Sequence, residues 1–167
     1  MEARINAMNP TGRKFLAVSD ETDECMAALV FAAMRAKAVN AGLVILRCAP
    51  SPGLGGWIGL DQDISQDAID RARLKALGHI DAVEQRVGVR AELIVSPDDP
   101  VDAIARLIDQ DTAIKSIVLA AAPGWRPGPL VSRLAKGKPI ASRPVAVTVI
   151  PGEITDAELD ALGGLAS

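Results

Sequence analysis

The chain has 167 residues, of which 49% are apolar and 23% are charged. This composition excludes a largely disordered or collagen-like chain, and the length suits a single domain. Aromatic residues make up only 2%, which argues against single-stranded nucleic-acid binding because that class stacks bases on several aromatic rings. The formal charge of −3 argues against a surface that attracts DNA or anionic lipid as a whole.

The charges are unevenly distributed along the chain. The segment between Thr112 and Gly152 contains no Asp or Glu but has six basic residues, which are Lys115, Arg126, Arg133, Lys136, Lys138 and Arg143. This segment carries +6, and the remainder, with 12 basic against 21 acidic residues, carries −9. We therefore expect any anion-binding site to involve the basic segment.

No apolar stretch approaches the roughly 20 residues that a membrane helix needs, and residues 1–13 lack the apolar run of a signal peptide. The sequence therefore predicts a cytoplasmic protein without membrane contact, in which residues 1–13 form a flexible N-terminal extension. Cys25 and Cys48 lack the spacing of a CxxC motif, and we interpret them as reduced, buried thiols.

Short apolar runs alternate with segments of helical periodicity through residues 14–152, which predicts one β-α-β-α-β-α-β-α-β domain. The predicted strands, in chain order, are Lys14–Ser19, Leu43–Cys48, Ala91–Val95, Ser116–Ala121 and Pro144–Ile150. Because helices connect consecutive strands, we expect a five-stranded parallel sheet with helices on both faces and the strand order 3-2-1-4-5.

The first predicted helix begins after a cap at Thr22 or Asp23 and runs to about Asn40. The second follows a long loop, from Ala49 to about Ser65, and ends near Gly88. Loops of this length in compact domains are often functional. This one has glycines at 53, 55, 56 and 59, but their spacing is not that of a dinucleotide-binding motif, and the role of the loop stays open.

The third predicted helix starts at Asp99-Pro100, with the Asp as N-cap and the Pro at the first helical position. The fourth is short, Pro129–Ala135, and ends at Gly137. Residues 153–167 form a tail in which the segment Thr155–Glu158 has the pattern of a capping box. That pattern predicts a short helix of marginal stability by itself, and we expect the tail to contribute little to the core.

In a sheet of this order, ligands bind where the order reverses, outside the carboxyl ends of the first and fourth strands. Ser19 and Asp20 follow the first strand, and the segment Ala121–Gly128 follows the fourth. The basic segment begins at the same place, so an anion site is expected in this crevice. An alternative role for Asp20 is to cap the first helix.

The sequence indicates no catalytic constellation. His79 is the only histidine, and we interpret it as an ordinary, partly exposed residue of a helix, without a Ser-His-Asp or Cys-His arrangement. Asp61 and Asp63 lack the spacing of a calcium loop and are interpreted as helix-capping residues. We therefore predict neither a catalytic residue nor a metal site.

Three features together resemble the universal stress protein family: the opening KFLAVSDETDE, the five alternating units and the segment Ala120–Lys138. The resemblance covers about Lys14–Ile150. It implies a Rossmann-like fold of the adenine-nucleotide alpha-hydrolase type and a role in the stress response.

Members of that family that bind ATP carry the pattern G-x2-G-x9-G-[ST] after the fourth strand, whose amides and hydroxyl hold phosphates. Gly124 and Gly137 match two of its glycines, whereas Pro127 replaces the other glycine and Lys138 replaces the Ser or Thr. Pro127 has no N–H to donate, and Lys138 substitutes a positive charge for a hydroxyl. The departures predict a degenerate phosphate loop.

Asp20 aligns with the acidic residue that ATP-binding members place against the adenosine half of the ligand. The resemblance thus implies a ligand-binding set that holds ATP or another anion weakly or not at all; its members are Ser19, Asp20, Ala121, Gly124, Trp125, Arg126, Gly128, Gly137 and Lys138. Two alternatives stay open: a stress protein with a functional adenine-nucleotide site, and a dimeric interaction protein with no small ligand. An enzyme of the related alpha-hydrolase folds is disfavoured because no catalytic constellation is present.

The last predicted strand alternates apolar residues at Val145, Val147 and Val149. An apolar strand at the edge of a sheet offers unpaired backbone groups to a second chain. The resemblance implies a homodimer that forms through this strand.

Overall fold

The computed structural model describes residues 11–49 and 60–164, and residues 60–65 are described by their backbone alone. Parts of the predicted extension, loop and tail, namely residues 1–10, 50–59 and 165–167, lie outside the described residues. The glycines of the predicted loop and the side chains of Asp61 and Asp63 lie outside them too.

In the described residues, five strands form one sheet: β1 (Lys14–Ser19), β2 (Gly42–Cys48), β3 (Glu92–Ser96), β4 (Ile114–Ala121) and β5 (Ala146–Pro151). All neighbouring strands are parallel and the order is β3-β2-β1-β4-β5. The predicted strand order is confirmed, and it reverses between β1 and β4. The apolar runs of β1 and β2 are buried because these strands have a neighbour on each side and a helix layer on each face.

The helices of the described chain are α1 (Cys25–Ala38), α2 (Leu60–Val87), α3 (Pro100–Gln110), α4 (Pro129–Ala135) and α5 (Asp156–Gly163). One core cluster, around Leu29 and Ile80, unites α1, α2 and α5 with one face of the sheet. A second cluster, around Ile104 and Ile117, lies on the other face with α3 and α4. The prediction of helices on both faces of the sheet is confirmed. Within residues 11–49 and 60–164, no helix has the length and hydropathy of a membrane span.

The start of α1 differs from the prediction. Its N-cap position is Glu24, which makes no side-chain capping bond, so neither Thr22 nor Asp23 caps the helix. The hydroxyl and the backbone N–H of Thr22 instead donate to the carboxylate of Asp20. The predicted cap is wrong because this short polar turn satisfies its own side chains before the helix begins.

The start of α2 also differs, because the helix begins at Leu60 rather than near Ser65. The residues between them are mostly polar, so apolar periodicity gives no sign of the helix there. Further along, α3 begins as predicted, since the carboxylate of Asp99 accepts a hydrogen bond of 3.0 Å from the N–H of Val101.

The C-terminal helix contributes to the core, contrary to the expectation for the tail. The predicted capping box at the start of α5 is present, and Leu159 is only 3% exposed. Gly163 lies so close to Met34 of α1 that an added Cβ would be 3.0 Å from the Cβ of Met34. Arg86 of α2 forms ion pairs with two carboxylates of α5. The helix is therefore stabilised by docking onto α1 and α2.

Candidate functional site

The ends of β1 and β4 bring several predicted site residues to one edge of the sheet, because the two strands are parallel neighbours. Ser19 ends β1 and is 1% exposed, and Ala121 ends β4 and is half-buried. Asp20 is exposed just beyond Ser19. The backbone carbonyl of Asp20 accepts a hydrogen bond of 2.7 Å from Nη1 of Arg47. Asp20 does not cap α1, so its alternative role is excluded.

The loop between β4 and α4 contains the first half of the predicted phosphate pattern. Gly124 and Gly128 have φ values of 85° and 97°, a conformation that glycine adopts without steric cost. The N–H of Ala122 donates to the carbonyl of Pro127 at 3.2 Å, so the loop closes on itself. At its tip, Trp125 is 83% exposed.

The guanidinium of Arg126 lies 4.4 Å from the centroid of the Trp125 ring. A cation at this distance is attracted to the face of the ring. The two side chains therefore stack on each other at the surface of the loop.

Gly137 and Lys138 lie at the opposite end of α4. The N–H of Gly137 donates to the carbonyl of Leu134 at 2.8 Å, and that of Lys138 donates to the carbonyl of Arg133 at 3.1 Å. This pair of bonds is the Schellman arrangement that closes a helix C-terminus. Seven residues of helix, about 10 Å, separate these amides from the loop at Gly128. The two halves of the pattern therefore lie at opposite ends of α4.

Gly152, in the segment after β5, is tightly packed. A Cβ added to Gly152 would overlap the carbonyl oxygen of Ala121 and lie 2.8 Å from the Cβ of Glu24. Gly152 is therefore packed between the end of β4 and the start of α1. Its backbone lies beside Ala121, one of the predicted site residues.

A cavity of about 240 Å³ opens beside the end of β1. Its walls come from the connection between β1 and α1 and from residues of β2 and α2 that were not predicted as site residues. Those residues are Arg47, Lys75 and His79. A signal for Arg47 is present in the sequence, because it is the one charged residue in the apolar run of β2.

His79 contacts the end of β1. Its Nδ1 lies 2.8 Å from Oγ of Ser19, and its side chain is partly buried. Burial lowers the pKa of His79 below 6.5, and the positive charge of Arg47 lowers it further. His79 is a partly exposed residue of a helix, as predicted, but its contact with Ser19 was not predicted.

Arg47 is the centre of a charged cluster. Its side chain is 4% exposed, and Nη1 donates to Oγ of Ser19 at 3.3 Å. Nη2 forms an ion pair with Glu21, whose other carboxylate oxygen lies 2.6 Å from Nζ of Lys75. The hydrogen bond from Lys75, together with the charge of Arg47, lowers the pKa of Glu21 below 4.5. Glu21 is therefore ionised at neutral pH.

A second cavity, of about 490 Å³, borders the same cluster. Glu21, Arg47 and Lys75 line both cavities. The second cavity also has a basic residue, Arg71, and an apolar wall made of Cys48, Ala49, Ala68, Ala72 and Leu74. Burial raises the pKa of Cys48 to about 11, so its thiol is neutral at pH 7.

The predicted dimer strand is at the edge of the sheet, since β5 pairs with β4 at one end of the strand order. Val145 and Val147 pack against the core cluster that contains α3 and α4. Val149 is 40% exposed. Of the three valines, Val149 is therefore the one that offers a large exposed apolar surface.

A family model and solved structures both show similarity to the same family. The model of the "Universal stress protein family" matches residues 12–129. Universal stress protein UspA from Lactobacillus plantarum is 22% identical, with a TM-score of 0.57 over 83% of this chain and 97% of that one. No curated protein matches the chain.

Two further solved structures have the same architecture. A universal stress protein from Archaeoglobus fulgidus is 17% identical, with a TM-score of 0.52 over 81% of this chain and 92% of that one. A universal stress protein in complex with cAMP is 18% identical, with a TM-score of 0.52 over 84% and 98%. At identities of 17%, 18% and 22%, the similarity to these solved structures shows a shared fold.

Proposed function

The chain belongs to the universal stress protein family, whose model matches residues 12–129, and we propose that it is a stress-response domain that binds adenine nucleotides weakly and does not turn them over. In this proposal the adenosine half lies near Asp20, and the phosphates lie at the loop after β4. Ser19, Ala121 and the loop residues Gly124–Gly128 complete the site. Gly137 and Lys138 are left out of it.

The charges of the smaller cavity suit the adenosine half. The carboxylates of Asp20, Glu21 and Asp23 line it together with Arg47 and Lys75, so with a neutral histidine its net charge is −1. Carboxylate oxygens accept hydrogen bonds from the hydroxyls of a ribose or the amino group of a base. A negative cavity repels phosphates, which supports their assignment to the loop after β4.

The position of Gly137 and Lys138 is the observation that carries the proposal of weak binding. Their amides donate to carbonyls of α4 at its C-terminus, where the helix has a partial negative charge. Pro127 supplies no amide donor at the other end. The loop is left with the amides around Gly124 and Gly128 and with the charge of Arg126. A triphosphate held by so few groups is expected to bind weakly and to be displaced by salt.

Isothermal calorimetry of ATP binding at low and high salt tests this proposal. We expect Arg126→Gln to weaken binding about fivefold, the effect of one exposed charge, and Pro127→Gly to strengthen it. Lys138→Ser is the matched control, because it restores the family pattern at a position remote from the loop, and we expect no change. Submicromolar ATP binding by the unmodified protein would contradict the proposal.

A second candidate function is a dimeric interaction protein with no small ligand. Two observations favour this function. The loop is closed by the hydrogen bond between Ala122 and Pro127, and Gly152 packs beside Ala121. Both reduce the room for a nucleotide. Absence of any ATP binding heat at low salt would support this alternative. For either function, we propose a homodimer that forms through β5, whose exposed residue Val149 lies at the edge of the sheet.

A further inference from the structure

Arg47 is a buried cation whose hydrogen bonds are incompletely satisfied. Its side chain is 4% exposed, and within the described part of the chain its Nε atom has no hydrogen-bond partner. Burying a guanidinium is unfavourable unless an anion and hydrogen-bond acceptors compensate for the lost water. In the same part of the chain, the ion pair of Arg47 is with Glu21. Nη1 also donates to two neutral acceptors, Oγ of Ser19 and the carbonyl of Asp20, so the carboxylate of Glu21 supplies the compensating negative charge.

Glu21 is poorly suited to be a permanent partner. Its side chain is 65% exposed, and it lies in the turn between β1 and α1 rather than in a regular element. One carboxylate oxygen pairs with Arg47, and the other accepts a hydrogen bond of 2.6 Å from Lys75. A carboxylate in such a position can leave for solvent at little cost if another carboxylate takes its place.

Three basic residues of α2 lie beside the cavities that Arg47 lines. Arg71, Lys75 and His79 follow one another at intervals of four residues, which puts them on one side of a helix. Each of them lines one or both of the cavities beside Arg47. This stripe runs beside the buried stripe of Ala72 and Ala76, so it lies at the border of the core and faces the end of β2.

The larger cavity combines positive charge with an apolar wall. Three cations, Arg47, Arg71 and Lys75, line it with the one carboxylate of Glu21, which gives a net charge of +2. Its volume of about 490 Å³ falls within the usual range for small-molecule sites. The apolar wall includes Leu74, whose side chain is exposed. A ligand with one anionic end and an apolar body matches both features.

We propose that the crevice between the carboxyl end of β2 and helix α2 binds a small organic carboxylate, which displaces the carboxylate of Glu21 from Arg47 and Lys75. Without the ligand, the carboxylate of Glu21 occupies the position that the carboxylate of the ligand takes when it binds. The carboxylate of the ligand takes over both ion pairs and adds one to Arg71, and its apolar body lies on the wall that contains Leu74. This site shares Glu21, Arg47 and Lys75 with the smaller cavity, in which the adenosine half is proposed to lie, but Arg71 and the apolar wall line the larger cavity alone. Binding of the carboxylate does not require a bound nucleotide.

Hexanoate is a suitable probe, with 1-hexanol as the same body without the charge and inorganic phosphate as a charge without the body. Binding to the full chain is measured by NMR titration of backbone amides and by calorimetry. We expect hexanoate to shift the amides of Glu21 and Lys75 and to bind more tightly than either comparator. Arg71→Gln and Lys75→Gln should each weaken hexanoate binding about fivefold.

The remaining variants separate this site from general charge effects and from the nucleotide site. Arg73→Gln removes an exposed charge of α2 that lines neither cavity, and it should leave hexanoate binding unchanged. Glu21→Gln should strengthen binding about fivefold, since it removes the competing carboxylate. Pro127→Gly should leave hexanoate binding unchanged even if nucleotide binding changes or is absent.

Three results would overturn the proposal. Hexanoate could bind no better than 1-hexanol, or phosphate could bind as tightly as hexanoate with the same response to the variants. Arg71→Gln could also have no larger effect than Arg73→Gln. Thermal unfolding of each variant establishes that it is folded, and the exposed positions of Arg71 and Lys75 make these two substitutions tolerable even if Arg47 is required for folding.

Discussion

Ser19 and His79 are joined by a hydrogen bond of 2.8 Å between Oγ and Nδ1, which connects the carboxyl end of β1 to the middle of α2. The hydroxyl of Ser19 also accepts a hydrogen bond from Arg47. Protonation of His79 would add a positive charge to a half-buried position that already holds a guanidinium. The neutral imidazole is therefore part of the packed structure around the proposed sites.

The first prediction concerns pH. Burial and Arg47 lower the pKa of His79 below its ordinary value of 6.5, so the unfolded chain binds a proton more readily than the folded one. The stability due to the neutral ring is present above pH 6.5 and is lost as the pH falls through that value towards the folded-state pKa. Urea unfolding should give a smaller free energy of unfolding at about pH 5.5 than at about pH 7.5.

His79→Gln tests the assignment, because His79 is the only histidine of the chain. The variant should lose most of the difference between the two pH values while the carboxylates, which titrate at lower pH, are unaffected. An unchanged difference in the variant would show that another group is responsible.

The second prediction concerns the close packing of Gly152. Gly152→Ala places a methyl group onto the backbone carbonyl of Ala121, and we expect a loss of about 1–3 kcal/mol in the free energy of unfolding, typical of overpacking. Gly78→Ala is the control, because nothing lies within 4 Å of the added Cβ. In the middle of α2 it should stabilise by about 0.5–1 kcal/mol. Equal effects of the two substitutions would exclude the packing argument.

The third prediction concerns α5. Leu159 is 3% exposed and Leu162 is 55% exposed on the same helix. We expect Leu159→Ala to cost about 2–4 kcal/mol in denaturant unfolding and Leu162→Ala less than about 0.5 kcal/mol. Removal of the chain from Thr155 onward should cost at least as much as Leu159→Ala. A truncated protein of unchanged stability would show that α5 is not docked in solution.

The fourth prediction concerns the proposed dimer. Val149 on β5 and Val39 at the end of α1 are 40% and 41% exposed, which makes them a matched pair. Val149→Lys places a charge on the edge strand and should convert the dimer to a monomer, whereas Val39→Lys should leave it dimeric. Analytical ultracentrifugation measures both. If the unmodified protein sediments as a monomer at micromolar concentration, the dimer proposal is wrong.

Much of the fold could be predicted from the sequence. The five strands and their order follow from short apolar runs separated by helical periodicity, since burial on both faces of a parallel sheet leaves a local signature in each segment. Asp99-Pro100 and the capping box at Thr155 are local signals too, and the structure confirms both. The position of the crevice at the ends of β1 and β4 follows from the strand order alone.

The tertiary structure decided what lies in the crevice. The sequence predicts both roles of Gly137, a matching glycine of a phosphate pattern and the stop of a helix over Pro129–Ala135, and the structure confirms the helix and its end. Only the structure shows that the amides of Gly137 and Lys138 are engaged with carbonyls of that helix. Arg47, Lys75 and His79 show no common motif, because they come together only where α2 passes the ends of β1 and β2. Contacts between residues so far apart in the chain depend on how the elements pack, and the periodicity of a single segment carries no information about that packing.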